Sequence, residues 1–181
     1  MQTQKSKIKT NNKWVIKIVL ISVAATVAFT FASSRILGRA GNIVAFAILV
    51  VFIGIGIIFD IIGVAVAAAQ EAPFHSMAVH RERGAAEALR LLKNADKTSS
   101  FCNDVVGDVT GIVSGATAAL IAAKFMQSLG TESVLFQLLI SSVATGLMIG
   151  GKAVGKTLAF NRCTAIVLRV GKLINFISFK K

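Results

Sequence analysis

The sequence predicts an all-α integral membrane protein with about four transmembrane helices, a juxtamembrane helical segment and a basic amphipathic C-terminal helix. Three observations carry that prediction. Hydrophobic residues fill 55% of the 181 positions and charged residues only 15%, against roughly 45–50% and about 25% in a soluble globular chain. Four apolar runs approach or exceed the roughly 20 residues needed to cross a bilayer as a helix. The basic residues, Lys+Arg 20 against Asp+Glu 8 for a net charge of +12, gather mostly between and beyond those runs.

The first run, about Trp14 to Ala32, follows a polar leader bearing Lys5, Lys7, Lys9 and Lys13. It is as long as a membrane span and lacks a clear A-x-A cleavage site, so a retained anchor is expected over a signal peptide. The second, Ile43 to Ala69, is interrupted only by Asp60 and is long enough to tilt or to extend past one interface. Between it and the third run lies a mixed-charge segment in which "AAEALRLL" favours a helix, and Pro73, the one proline, suits a first helical turn or a bend. The third run spans about Val105 to Ala123, with Ser99, Ser100, Asn103 and Asp104 before it as either an N-cap group or part of an ion entrance. The fourth spans about Val134 to Val154. Beyond it, Arg162, Arg169 and Lys172 recur at nearly helical intervals among apolar residues, the pattern of a basic helix lying in the interface.

Charge placement orients the spans. Four basic residues lie in the leader, five between Arg81 and Lys97 and seven from Lys152 onward, while the two remaining loops hold few. With four spans, leader, middle segment and tail share one side, and the positive-inside rule makes that side the cytoplasm of a multi-pass cell-membrane protein. Nucleic acid is not the expected partner of this charge, because the chain has no Tyr and one Trp to stack on bases. The expected partner is an anionic lipid bilayer. Cys102 and Cys163 stand far apart with no C-x-x-C spacing, so free thiols are expected and a structural zinc site is not.

Ionisable residues inside spans are costly and mark function by default. Asp60, Asp108 and Lys152 fall at similar depth in the second, third and fourth spans, where an Asp and a Lys on neighbouring helices could form an intramembrane charge pair, or carboxylates could face a hydrated cation path. Helix-end placement of Asp108 and snorkelling of Lys152 are the plainer alternatives. Gly107, Gly111 and Gly115 are four apart, as are Gly146 with Gly150 and Gly151 with Gly155, a small-xxx-small spacing that suits close helix packing in lipid. His75 and His80, five apart, diverge around a helix and make a poor metal face. No catalytic triad is legible and no enzyme activity is expected.

The segment "GGKAVGKT", Gly150 to Thr157, fits the phosphate-loop pattern G-x-x-x-x-G-K-[ST]. That loop needs a short strand before it, and the run preceding this one is a membrane span, so no nucleotide is expected.

Three segments together carry a family likeness. "AAAQEAPFHSMAVHR", Ala67 to Arg81, "GAAEALRLLKNADK", Gly84 to Lys97, and "GGKAVGKTLA", Gly150 to Ala159, resemble in order and spacing the transmembrane domain of the CNNM/CorC group of magnesium transport proteins. The likeness covers roughly Ile43 to Arg169. It divides the chain into a leader with an added membrane helix (1–42), a CNNM-like transmembrane domain (43–160) with juxtamembrane segment 71–104, and a basic tail (161–181). It implies a homodimer joined through its membrane helices and a cation path for Mg2+ or another ion through Glu71, Asn103, Asp104 and Asp108. The CBS and CorC C-terminal domains that normally follow in the family are not in this stretch, and a separate cytoplasmic partner is one way they could be supplied. The departures matter equally. The family's serines correspond to Ala68 and Gln70, and its G-N-N to Cys102-Asn103-Asp104 or Gly107-Asp108. Its G-E-x-x-P-K has Lys152 at the acidic position and Gly155 for the proline, with Gly151 kept. A lysine for a glutamate changes the site by two unit charges. The expectation is therefore a divalent-cation transporter scaffold with an altered or disabled ion site, or a non-transporting membrane scaffold or regulatory partner subunit.

Overall fold

The computed structural model describes residues 12–39, 41–130 and 134–178. Leader residues Lys5, Lys7 and Lys9 lie outside the described residues. All regular structure among the described residues is helical: α1 (Asn12–Arg39), α2 (Asn42–Ala68), α3 (Glu71–Val79), α4 (Ala85–Lys93), α5 (Ala95–Ser100), a π-helical segment (Phe101–Gly107), α6 (Asp108–Leu129), α7 (Val134–Asn161) and α8 (Cys163–Ser178). Four stretches are long and apolar enough to cross a membrane: Trp14–Arg35, Asn42–Ala68, Ala95–Ser128 and Val134–Asn161. The chain is an all-α, multi-pass membrane protein.

The spans pack through small residues, because in lipid close backbone approach supplies the van der Waals contact that water exclusion cannot. On α2, Gly56 faces the Thr110 hydroxyl and Gly63 faces Asn103 and Cys102. On α7, side chains at Gly151 and Gly155 would run into Ile57 and Ile61 of α2. These two glycines therefore seat α7 on α2 within one chain. Gly146 and Gly150, by contrast, have nothing near them, and α7 turns Leu147, Ile149 and Val154 outward as a helix in lipid does. Helix α1 packs on α6 and meets α2 through an edge-to-face pair, Phe29 with Phe52, ring centres 5.8 Å apart.

Two boundaries differ from expectation. The third span does not start at Val105: helix runs unbroken from Ala95, and Ser99, Ser100, Asn103 and Asp104 sit inside it. No side chain caps α6, so these residues are not an N-cap group. Nothing between Ala95 and Gly107 breaks a helix; the backbone passes through Phe101–Gly107 as a π-helical segment, with Asn103 Nδ2 donating to Ser99 Oγ at 3.4 Å. The fourth span also continues past Val154 to Asn161. There the small residues Gly155 and Ala159 are buried, which keeps that stretch of α7 packed rather than frayed.

Below the spans, α3, α4 and α8 form a compact layer. Pro73 is the third residue of α3, where its missing N–H would have had no helical partner. The core of the layer joins Phe74, Ala88, Leu92 and Val167 to Ala65 and Val66 of α2 and Ala159 of α7. Helix α8 is thus not a helix lying only on lipid: its Val167 is fully buried, and its Gly171 touches the Gly84 carbonyl and Ala88 of α4. Gly84 has φ +82°, a left-handed conformation that favours glycine, and any side chain there would meet the α8 backbone at Lys172. One face of α8 still stays open, with Leu173, Phe176 and Ile177 exposed.

Candidate functional site

The polar residues of the spans converge where α2, the π segment, α6 and α7 meet. Gly56, Asp60 and Gly63 recur at intervals of four and three, one face of α2. Opposite them, Asn103, Gly107, Thr110, Ser114 and Thr117 recur at four, three, four and three along the third span. Asp60 is only 5% exposed. Its Oδ2 has no hydrogen-bond partner among the described residues, and neither has Asn103 Oδ1.

Lys152 reaches this place from α7. Its Nζ donates to the Gly107 carbonyl at 3.2 Å, and the Thr110 hydroxyl, shared with the Val106 carbonyl at 2.7 Å, lies 3.0 Å from the same oxygen. A side chain on Gly107 would stand 3.4 Å from Lys152 Nζ and 3.9 Å from Asp60 Oδ1. The ammonium and the carboxylate therefore flank one glycine without forming a direct ion pair. Glycine is what allows the two charges to approach from opposite helices.

The remaining sequence candidates are placed differently. Asp108 is exposed on α6 and shares with Lys152 a cleft of about 390 Å³ between α6 and α7. Asp104 is exposed on the π segment. Glu71 begins α3, outside the spans, with its Oε2 3.5 Å from His75 Nε2. Gly151 and Gly155 serve the α2–α7 contact. Among the described residues no group of three or more His, Cys, Asp or Glu could hold a metal ion, and both cysteines are free. The segment Gly150 to Thr157 lies wholly within α7, where backbone N–H groups are turned along the helix rather than into a phosphate cradle.

Residues that a search for charged groups passes over are Thr110, Ser114 and Thr117, at 5%, 3% and 1% exposure. The four-three spacing that joins them to Asn103 is a legible helical stripe, but hydroxyls in an apolar run read as tolerated polar residues until their neighbours are known.

Buried oxygens without protein partners suit a hard cation, which takes oxygen ligands. A fixed ammonium beside them opposes one. Two like charges a few ångströms apart at an effective dielectric near 20 repel by several kcal/mol, more for a divalent ion. The chain matches no protein-family model, no curated protein and no solved structure.

Proposed function

We propose that this chain is a cation-handling membrane protein on a scaffold resembling the CNNM/CorC magnesium transporters, with Lys152 acting as a tethered cation in its polar centre. The observation that carries the reading is the Lys152 ammonium held on the Gly107 carbonyl at 3.2 Å beside the buried Asp60. A mobile cation that binds Asp60 and Asn103 competes with that ammonium for the same negative potential. Mg2+ is the ion most strongly disfavoured, because its two charges double the repulsion. In this reading the basic leader, the α3–α4–α8 layer and the tail face the cytoplasm of the cell membrane, a side that the placement of Lys and Arg supports.

The test is cation flux into proteoliposomes reporting Mg2+, Na+ and K+ separately, for the natural chain and for Lys152→Gln and Lys152→Glu. Divalent flux that is absent or slow in the natural chain and rises in Lys152→Glu, and is lost again when Asp60→Asn is added, is the expected result. The competing reading is a scaffold that moves no ion, for which the same ammonium is a permanent internal counterion to Asp60. Silence of all three chains toward every cation, with each folded, establishes that second reading. Fast Mg2+ flux through the natural chain removes the tethered-cation role.

A further inference from the structure

We infer that the cavity between the α3–α4 turn and the end of α8 is a binding site for a phosphate group, that of an anionic phospholipid at the bilayer surface, with Arg81 and Arg83 as its ligands. This site is independent of the cation function proposed above.

The turn that carries both arginines is built at a cost. Helix α3 closes with the Arg81 N–H donating to the Ala78 carbonyl at 3.0 Å and the Glu82 N–H to the Met77 carbonyl at 2.9 Å, the paired bonds of a Schellman motif. Glycine ordinarily fills the left-handed position of that motif. Here it is Arg81, with φ +55°, the one residue other than glycine with a positive φ among the described residues. Arginine gives the turn nothing that glycine would not give with less strain. Strain of this kind persists where the side chain is needed, and the side chain of Arg81 lines the cavity.

The cavity has a volume of about 940 Å³, in the range of ligand pockets. Its lining carries three cations, Arg81, Arg83 and Lys172, and two acids, Glu82 and Glu87. Both acids are engaged: Glu82 accepts from Lys172 Nζ and Glu87 from Asn175 Nδ2, each at 3.1 Å. Arg81 and Arg83 are exposed and have no ion pair or side-chain hydrogen bond among the described residues. Two free guanidiniums from one turn, each a planar fork of donors, match the oxygens of a phosphate. Helix α4 begins at the same cavity with Gly84 as its cap and no side chain bonded to its first N–H groups, so its positive end adds to the potential there.

The apolar edge of the cavity is what ties the phosphate to a lipid. Phe176 lines the cavity and is 70% exposed, and its neighbours along α8, Leu173 and Ile177, are 59% and 64% exposed. The spacing places these three on one face of the helix. At a bilayer surface such a face sinks among acyl chains while arginines stay at headgroup level. Attraction between basic flanks and an anionic surface is general; a cavity with two free guanidiniums and an apolar edge selects individual headgroups.

The experiment is lipid retention by the full chain in neutral detergent, followed by native mass spectrometry. Phosphatidylglycerol is the probe, phosphatidylcholine the zwitterionic control, and inorganic phosphate and glycerol 3-phosphate the lipid-free phosphates. A single phosphatidylglycerol is expected to be held more tightly than any other lipid, and phosphatidylcholine not to replace it. Arg81→Gly and Arg83→Gln are each expected to weaken that lipid by at least about tenfold, the loss of one charge-assisted hydrogen bond. Arg162→Gln removes an equal charge between α7 and α8, outside the cavity lining, and is expected to leave it bound. Arg81→Gly should also keep or raise the lipid-free thermal midpoint, because glycine suits the left-handed position; weaker binding there is then not damage to the fold. Equal losses in all three variants reduce the effect to diffuse charge and overturn the site. Unchanged affinity in Arg81→Gly and Arg83→Gln overturns it as well. Inorganic phosphate or glycerol 3-phosphate bound as tightly as the lipid overturns the lipid as the source of the phosphate. None of these outcomes alters the flux expected of Lys152→Glu, so the two proposals fail separately.

Discussion

The layer formed by α3, α4 and α8 and the bundle formed by α2, α6 and α7 treat their polar groups in opposite ways. In the layer the acids have partners: Glu82 with Lys172 at 3.1 Å, Glu87 with Asn175 at 3.1 Å, Glu71 with His75 at 3.5 Å. In the bundle, Asp60 Oδ2, Asn103 Oδ1, Ser114 Oγ and Thr117 Oγ1 are buried without any among the described residues. The layer also holds the largest fully buried side chain among the described residues, Phe74, while the bundle closes on glycines. The difference teaches where stability resides and where function does. Exposed pairs in the layer are cheap to form and add little individually; buried orphans in the bundle are expensive and persist where something other than the resting fold uses them.

The largest break in this contrast comes from Phe74→Ala. Removing a fully buried aromatic ring from the core shared by the layer and α2 is expected to lower stability by about 3–5 kcal/mol, read as a lower thermal midpoint in detergent micelles. Gly84→Val follows, at about 2–4 kcal/mol, since it combines an unfavourable positive φ with a collision against the α8 backbone. Limited proteolysis should then cut α8 first, because α8 is the element displaced. Lys172→Ala removes a half-exposed ion pair and is expected to cost only about 0.2–1 kcal/mol, measurable in a double-mutant cycle with Glu82→Ala. Ser114→Ala is the smallest and has the opposite sign: deleting an orphaned hydroxyl should leave the midpoint unchanged or raise it slightly, by about 0–1 kcal/mol. A loss comparable to Phe74→Ala at Ser114 would show that its hydroxyl has a structural partner, and would erase the distinction between the two regions.

Much of the fold is legible in the sequence, for physical reasons that differ by element. The spans beginning near Trp14, Ile43 and Val134 are apolar runs whose length lipid alone demands. The helix over Ala85–Lys93 follows from "AAEALRLL". The third span was legible only from Val105, since Ser99, Ser100, Asn103 and Asp104 read as a polar boundary while helix in fact continues through them. Helix α8 showed its basic, amphipathic spacing but not its buried face, because the Gly171 contact that seats it depends on Gly84 nearly ninety residues earlier.

The candidate site divides in the same way. Asp60 and Lys152 stand out in sequence because charge within an apolar run is conspicuous and costly, and their similar depth follows from counting residues along each span. That they flank Gly107 rather than pair directly does not follow from counting, because it depends on the rotation of α6 set by the π turn and on the glycines that bring α7 against α2. Glu71, equally acidic, is carried out of the spans by the end of α2 at Ala68. Composition and hydrophobic length alone determine that this chain lives in a membrane as helices, since every backbone group there must be satisfied within its own segment. Which polar atoms are left without partners is a property of helix rotation and depth between segments distant in sequence, and only the packed bundle decides it.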